Sequence, residues 1–247
     1  MHVAPPVTWE AGRGPRGCRE VPGLRLGSWW SSGPGPERVP GSLFKYAASG
    51  IGIMTEVLLF HHAQGQTPGF LEFAGRLREG GHVVHTPDLY EGKTFPSLDE
   101  GVAYAKKVGF DTIARRGLRS ADELPRDLVY GGFSLGVMPA QTLAQNRPGA
   151  RGALLFSGAF PAEEFGTPWP QGVALEIHMM EKDPWVLEGD LEAARKLVAS
   201  VEGARLFLYP GKGHLFADSS LPDYDQGAAA LLLKRTLAFL KKQEGRD

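Results

Sequence analysis

Ser134, Asp183 and His214 are the residues whose types and order could do chemistry. Ser134 stands in Gly132-Phe133-Ser134-Leu135-Gly136, between a short apolar run that begins at Asp127 and a helical pattern. A turn of this form holds a serine in a strained backbone conformation, with its hydroxyl pushed out at the carboxyl end of a strand. Gly132 and Gly136 remove the side chains that would collide in so sharp a fold. The amide of Leu135 falls in the first turn of the following helix, where it can donate to a developing oxyanion. The plain alternative is a Gly-Ser surface loop in a chain with 33 glycines.

A serine hydroxyl needs a base within hydrogen-bond reach, and the base needs an acid to orient it. Only His178 and His214 follow Ser134. His178 lies inside an apolar strand pattern, which suits a structural histidine. His214 lies in Gly211-Lys212-Gly213-His214, directly after the last strand pattern. The acid is expected after a strand between Ser134 and His214. Asp183, in Lys182-Asp183-Pro184-Trp185, meets that condition, with Glu181 as the alternative. An Asp-Pro pair is also a common turn initiator. The order Ser134, Asp183, His214 carries more weight than any one of the three.

A second oxyanion donor is expected from the loop after the first core strand, and the amide of Ala63 is the candidate. His61 and His62 precede it. Adjacent residues at a strand end point in opposite directions, so one is expected to contact ligand and the other to be structural. His82 and His85 point to opposite faces of a strand. No metal site is expected, nor any cofactor, because no ligand set is complete and no Gly-rich phosphate loop is present.

These residues must be positioned by strands alternating with helices. Strands are expected from Glu56, at His82–His85, before Ser134, at Ala153–Phe156, at Val173–Met179 and at Arg205–Tyr209. Helical spacing runs through Phe70, Leu71, Phe73, Ala74 and Leu77, with Gly80-Gly81 as the stop. A mostly helical region spans Ser97 to Leu124, and further helices are expected after Ser134, from Leu191 to Val201 and from Ala228 to Leu240. Pro139 lies deep enough in the first of these to bend it. Leu231, Leu232, Leu237 and Leu240 are expected to face inward. The expected fold is α/β, a mostly parallel central sheet with helices on both faces and ligands at the carboxyl ends of the strands.

Composition bounds the partners. The 247 residues carry a formal net charge of −1, which offers nothing to nucleic acid or an acidic membrane. The single cysteine, Cys18, excludes an intrachain disulfide and fits a reducing compartment, so a cytoplasmic location is expected. No apolar run is long enough to span a bilayer. Residues 1–53 are dense in Gly, Pro and Arg and lack any hydrophobic period. They are read as a disordered extension: a flexible tail, a targeting peptide or sequence upstream of the true start. Met54 precedes the first clear strand, and residues 54–247 are read as the folded domain.

From about residue 55 to 243 the chain resembles the dienelactone hydrolase family of α/β-hydrolases. The matching stretches are Val57–Gly65, Pro87-Asp88-Leu89-Tyr90, Gly132–Gly136, Lys182–Trp185 and Gly211–Phe216. The resemblance implies an α/β-hydrolase fold with little or no lid. It also implies the triad of Ser134, Asp183 and His214, with Leu135 and Ala63 as oxyanion donors. Three departures separate the chain from the family's best-known members. Serine replaces a cysteine nucleophile, His62 stands where a gating glutamate is found, and Gly92 and Asp218 replace two carboxylate-binding arginines. The expected activity is therefore hydrolysis of a small ester or lactone, with an anionic lactone disfavoured. Expected substrate contacts are His62, Tyr90, Phe133 and Trp185, with Phe95, Trp169 and Phe216 as further aromatic candidates. A thioesterase or acyltransferase on the same triad, and a non-catalytic binding protein of this fold, are the alternatives. The oligomeric state is left open.

Overall fold

The computed structural model describes residues 54–186 and 188–245, so the expected N-terminal extension lies outside the described residues. The six strands are β1 (Glu56–Phe60), β2 (Val83–His85), β3 (Val129–Phe133), β4 (Gly152–Phe156), β5 (Ala174–Met180) and β6 (Arg205–Tyr209). They form one parallel sheet in the order β2-β1-β3-β4-β5-β6. The helices are α1 (Pro68–Glu79), α2 (Leu98–Val108), α3 (Phe110–Arg119), α4 (Val137–Asn146), α5 (Glu188–Ser200) and α6 (Gln226–Gln243).

The continuous apolar strands follow from burial on both faces. In β1, Val57 and Leu59 enter one core while Leu58 and Phe60 enter the other. The first of these cores is closed by Phe70, Phe73, Ala74 and Leu77 of α1 with Leu232, Phe239 and Leu240 of α6. The second is closed by Ala105 of α2, Ile113 of α3, Ala140 and Leu143 of α4 and Ala194 of α5.

Local signals set the helix ends. Thr67 caps α1 by accepting from the Phe70 amide at 3.3 Å, and Asp225 caps α6 by accepting from the Ala228 amide at 2.9 Å. The expected helical stretch from Ser97 to Leu124 is split by Gly109 at φ 93° into α2 and α3. Pro139 does not sit in a helix interior. It is the third residue of α4, after a 3₁₀ turn over Ser134–Gly136, where the missing N–H has no intrahelical acceptor to lose. Two leucines expected inside face solvent. Leu71 is 42% and Leu231 40% exposed, because the inward faces follow Phe70-Phe73-Leu77 and Ala229-Leu232-Thr236, one residue out of step.

The chain passes from β1 to β2 on one side and then returns to β3 on the other. Connections therefore diverge between β1 and β3, and open sheets of this kind place ligands beyond the carboxyl ends of the strands at such a point. Ala63 follows β1 and Ser134 follows β3 at that end of the sheet.

Candidate functional site

Ser134 is the residue at which β3 turns into the 3₁₀ turn, and its φ is 49°. A left-handed conformation is uncommon for serine and stores strain on the order of 1 kcal/mol. The turn closes only because two side chains are missing. A Cβ on Gly132 would lie 2.1 Å from the Gly136 carbonyl oxygen, and one on Gly136 would lie 2.6 Å from the Phe60 carbonyl oxygen. The first contact is the collision expected within the turn. The second presses the turn against the end of β1.

His214 Nε2 lies 2.7 Å from Ser134 Oγ, and His214 Nδ1 lies 2.7 Å from Asp183 Oδ2. The structure thus gathers the three residues into one hydrogen-bonded line. Asp183 follows β5, and its side chain is wholly buried against the ring of His214. Its other oxygen, Oδ1, accepts from the Trp185 amide at 2.9 Å. One carboxylate therefore builds the Asp-Pro turn and holds the imidazole. Glu181 is exposed and is not part of this line. His178 is buried elsewhere, with Nδ1 2.8 Å from the Tyr209 hydroxyl, in keeping with a structural histidine.

The segment after β1 is tied down on every side. His61 Nε2 accepts from the Leu89 amide at 3.0 Å while Nδ1 donates to the His62 carbonyl at 2.7 Å. Burial lowers the His61 pKa to about 4 and keeps the ring neutral. His62 Nδ1 accepts from the Gln64 amide at 3.2 Å, and Nε2 donates to Asp218 Oδ2 at 2.9 Å. Burial also lowers the His62 pKa, against the pull of Asp218. Asp218 further accepts from the hydroxyls of Thr67 and Ser220 and from the Ser220 amide. Burial raises its carboxyl pKa, but the bonds from His62, Ser220 and Thr67 together outweigh burial and set the net shift downward. Gly69 makes room, since a Cβ there would lie 1.9 Å from Asp218 Oδ1. The expectation that one of His61 and His62 is structural is too narrow: both hold protein groups.

Three aromatic expectations change. Tyr90 is fully buried, and its hydroxyl donates to the Gly101 carbonyl at 3.2 Å. A Cβ on Gly101 would meet the Ala63 carbonyl at 2.0 Å, and the Tyr90 ring packs edge-on against His61 with centroids 5.1 Å apart, so Tyr90 is part of the packing behind the segment after β1. Phe216 is likewise core, 1% exposed and packed on Tyr209. Trp169 borders a cleft of about 660 Å³ at the opposite end of the sheet, beside the first residues of β5. Phe133 stacks on Phe156 and shares a small cavity with His62, Phe70, Phe73, Leu215, Ala217 and Asp218. Trp185 is half-buried, its ring 6.1 Å from that of His214. Phe95 packs on Tyr90 and Tyr104.

Sequence reasoning did not anticipate Ser157 or Asp223. Ser157 Oγ donates to the His214 carbonyl at 2.6 Å, and Asp223 Oδ2 accepts from the His214 amide at 3.0 Å. Neither belongs to a motif, and no local signal marks them. Among the described residues, no group of three or more His, Cys, Asp or Glu side chains gathers as for a metal ion, and no helix is long and apolar enough to cross a membrane.

Solved structures share this fold at low identity. A dienelactone hydrolase-like promiscuous phosphotriesterase from metagenomic libraries is 19% identical, with a TM-score of 0.60 over 78% of this chain and 88% of its own. The dienelactone hydrolase from Anabaena variabilis is 18% identical, with a TM-score of 0.56 over 77% of this chain and 87% of its own. A cold-adapted esterase from an Arctic intertidal metagenomic library is 19% identical, with a TM-score of 0.51 over 78% of this chain and 84% of its own. No curated protein matches the sequence. The model of the dienelactone hydrolase family matches residues 47–244, which include every element of the sheet and all three residues of the hydrogen-bonded line. The chain is an α/β-hydrolase-fold protein and belongs to the dienelactone hydrolase family.

Proposed function

We propose that this hydrolase uses Ser134 as its nucleophile to cleave a small ester or lactone through an acyl-enzyme. The observation that carries the reading is the unbroken line Ser134 Oγ, His214 Nε2, His214 Nδ1, Asp183 Oδ2, with 2.7 Å at each hydrogen bond. In this mechanism His214 takes the hydroxyl proton as Oγ attacks the carbonyl carbon. Asp183 holds the Nδ1–H tautomer and stabilises the imidazolium that forms. The carbonyl oxygen becomes an oxyanion and accepts from the amides of Leu135 and Ala63. Imidazolium then protonates the departing alkoxide. Water then attacks the acyl carbon as His214 takes its proton, the bond from Oγ to the acyl group breaks, and His214 returns the proton to Oγ as the acid leaves.

The preference for a neutral acyl group rests on the sequence: Gly92 and Asp218 stand where the best-known members of the family carry carboxylate-binding arginines. A cytoplasmic location belongs to the same proposal and rests on the single cysteine.

The test is hydrolysis of p-nitrophenyl acetate by the full chain beside Ser134→Ala. The parent is expected to turn over, and the variant to lose roughly 10⁴-fold in kcat while keeping its fold. Equal activity in the two proteins would remove Ser134 from the mechanism. Absent turnover together with no fluorophosphonate labelling of Ser134 would favour a binding protein. An ester product formed from an added acceptor alcohol would mark an acyltransferase.

A further inference from the structure

We propose that Ser157 is a positioning residue that fixes His214 relative to Ser134. The proposal rests on the serine-hydrolase reading above.

Strands β3 and β4 are paired with Phe133 opposite Phe156, so Ser134 and Ser157 are the next residues out of neighbouring strands. Both leave the sheet in the left-handed region, at φ 49° and 57°. The Ser157 amide still donates to the His178 carbonyl at 2.8 Å, which holds its backbone to β5. Its side chain is buried, and Oγ donates to the main-chain carbonyl of His214 at 2.6 Å. On the other side of the same residue, the His214 amide donates to Asp223 Oδ2 at 3.0 Å. The main chain of His214 is thus held from both sides, while its ring spans Ser134 and Asp183.

The preceding segment supplies little stiffness of its own, with Gly211 at φ 138° and Gly213 two residues later. Ser157 links it directly to the strand beside the one that presents the nucleophile. The Ser157 hydroxyl is therefore one of the groups that set the spacing between Oγ of Ser134 and Nε2 of His214, beside Asp223 on the main chain and Asp183 on the ring. A left-handed position ordinarily favours glycine. A buried serine whose hydroxyl is committed to the carbonyl of His214 is what that position would hold if the hydroxyl were needed. Small misplacement of a reacting group can cost up to about 10²-fold in rate.

The experiment compares the full chain with Ser157→Gly and Ser157→Ala, measuring kcat and KM for p-nitrophenyl acetate, the rate of fluorophosphonate labelling, and Tm. Ser157→Gly removes the hydroxyl and relieves the left-handed strain. Ser157→Ala removes the hydroxyl and keeps the strain. Both are expected to lose roughly tenfold or more in kcat and in labelling rate with KM within about twofold. Their Tm values are expected to differ, with glycine the higher. Rate loss that is shared while stability differs is what positioning predicts. Unchanged kcat in Ser157→Gly overturns the proposal, as does a rate that follows Tm across the two variants. If the parent itself neither turns over nor labels, the serine-hydrolase reading fails and the positioning role falls with it. An active parent with equally active variants sinks the positioning role alone.

Discussion

His62 donates from Nε2 to Asp218 Oδ2 at 2.9 Å, joining the segment after β1 to the segment after His214. The two residues are 156 positions apart, and both are buried. Asp218 keeps its charge through the donors around it, so removing the imidazole withdraws one donor from a buried carboxylate and strands the Gln64 amide. His62→Ala is expected to cost about 2–3 kcal/mol. Chemical denaturation should show a lower midpoint with an unchanged slope. A loss under about 0.5 kcal/mol, the size of an ordinary surface change, would mean that the pair does not fasten the two segments.

Asp183→Asn separates turn from charge. The asparagine carbonyl can still accept from the Trp185 amide, as Oδ1 does now at 2.9 Å. Its amide nitrogen would then face His214 Nδ1 and favour the tautomer with the proton on the wrong nitrogen. The expected result is a kcat lower by roughly 10³–10⁴-fold with Tm nearly unchanged. Near-parental kcat would transfer the acid role to another carboxylate.

Ser134 carries a cost in its own backbone. At φ 49°, glycine is less strained than either serine or alanine. Ser134→Gly is expected to be about 1 kcal/mol more stable than Ser134→Ala, with both inactive. Calorimetry on the two variants measures the difference directly, and equal Tm values would show that the turn stores no strain.

Acid should weaken the fold before the carboxylates titrate. His61, His62 and His178 are all pushed below their ordinary pKa by burial, His61 to about 4. In the unfolded chain these rings take up protons near pH 6.5. Between that value and the folded pKa, the unfolded state binds more protons, so stability is full above pH 6.5 and falls as pH drops, for His61 down to about 4. Each such histidine contributes a slope of about 1.4 kcal/mol per pH unit in that window. Unfolding free energies that stay flat from pH 6.5 to 5 would show that the rings are protonated in the fold.

Much of the architecture could be read along the chain. The strands announced themselves as apolar runs because helices cover both faces, and the position of each candidate residue after a strand followed from that alternation. What escaped the sequence was contact between distant segments. The bond from Ser157 to His214 joins residues 57 apart, and that from Thr67 to Asp218 joins residues 151 apart. No local spacing encodes either one. Tyr90 was misplaced for a related reason: only the fold shows the ring fully buried and its hydroxyl committed to the Gly101 carbonyl. Leu71 and Leu231 erred through helix phase, where a step of one residue rotates a side chain by about 100°.

The separation of Ser134 and His214 by 80 residues has a consequence for synthesis. At ribosomal rates of about 5–20 residues per second, His214 emerges roughly 4–16 s after Ser134. Throughout that interval Ser134 has no His214 beside it, and between the emergence of Met180 and that of Arg205 β5 is an open edge awaiting β6. A ribosome that stalls in this shorter window therefore leaves a sheet without its last strand, exposed to strand-to-strand aggregation.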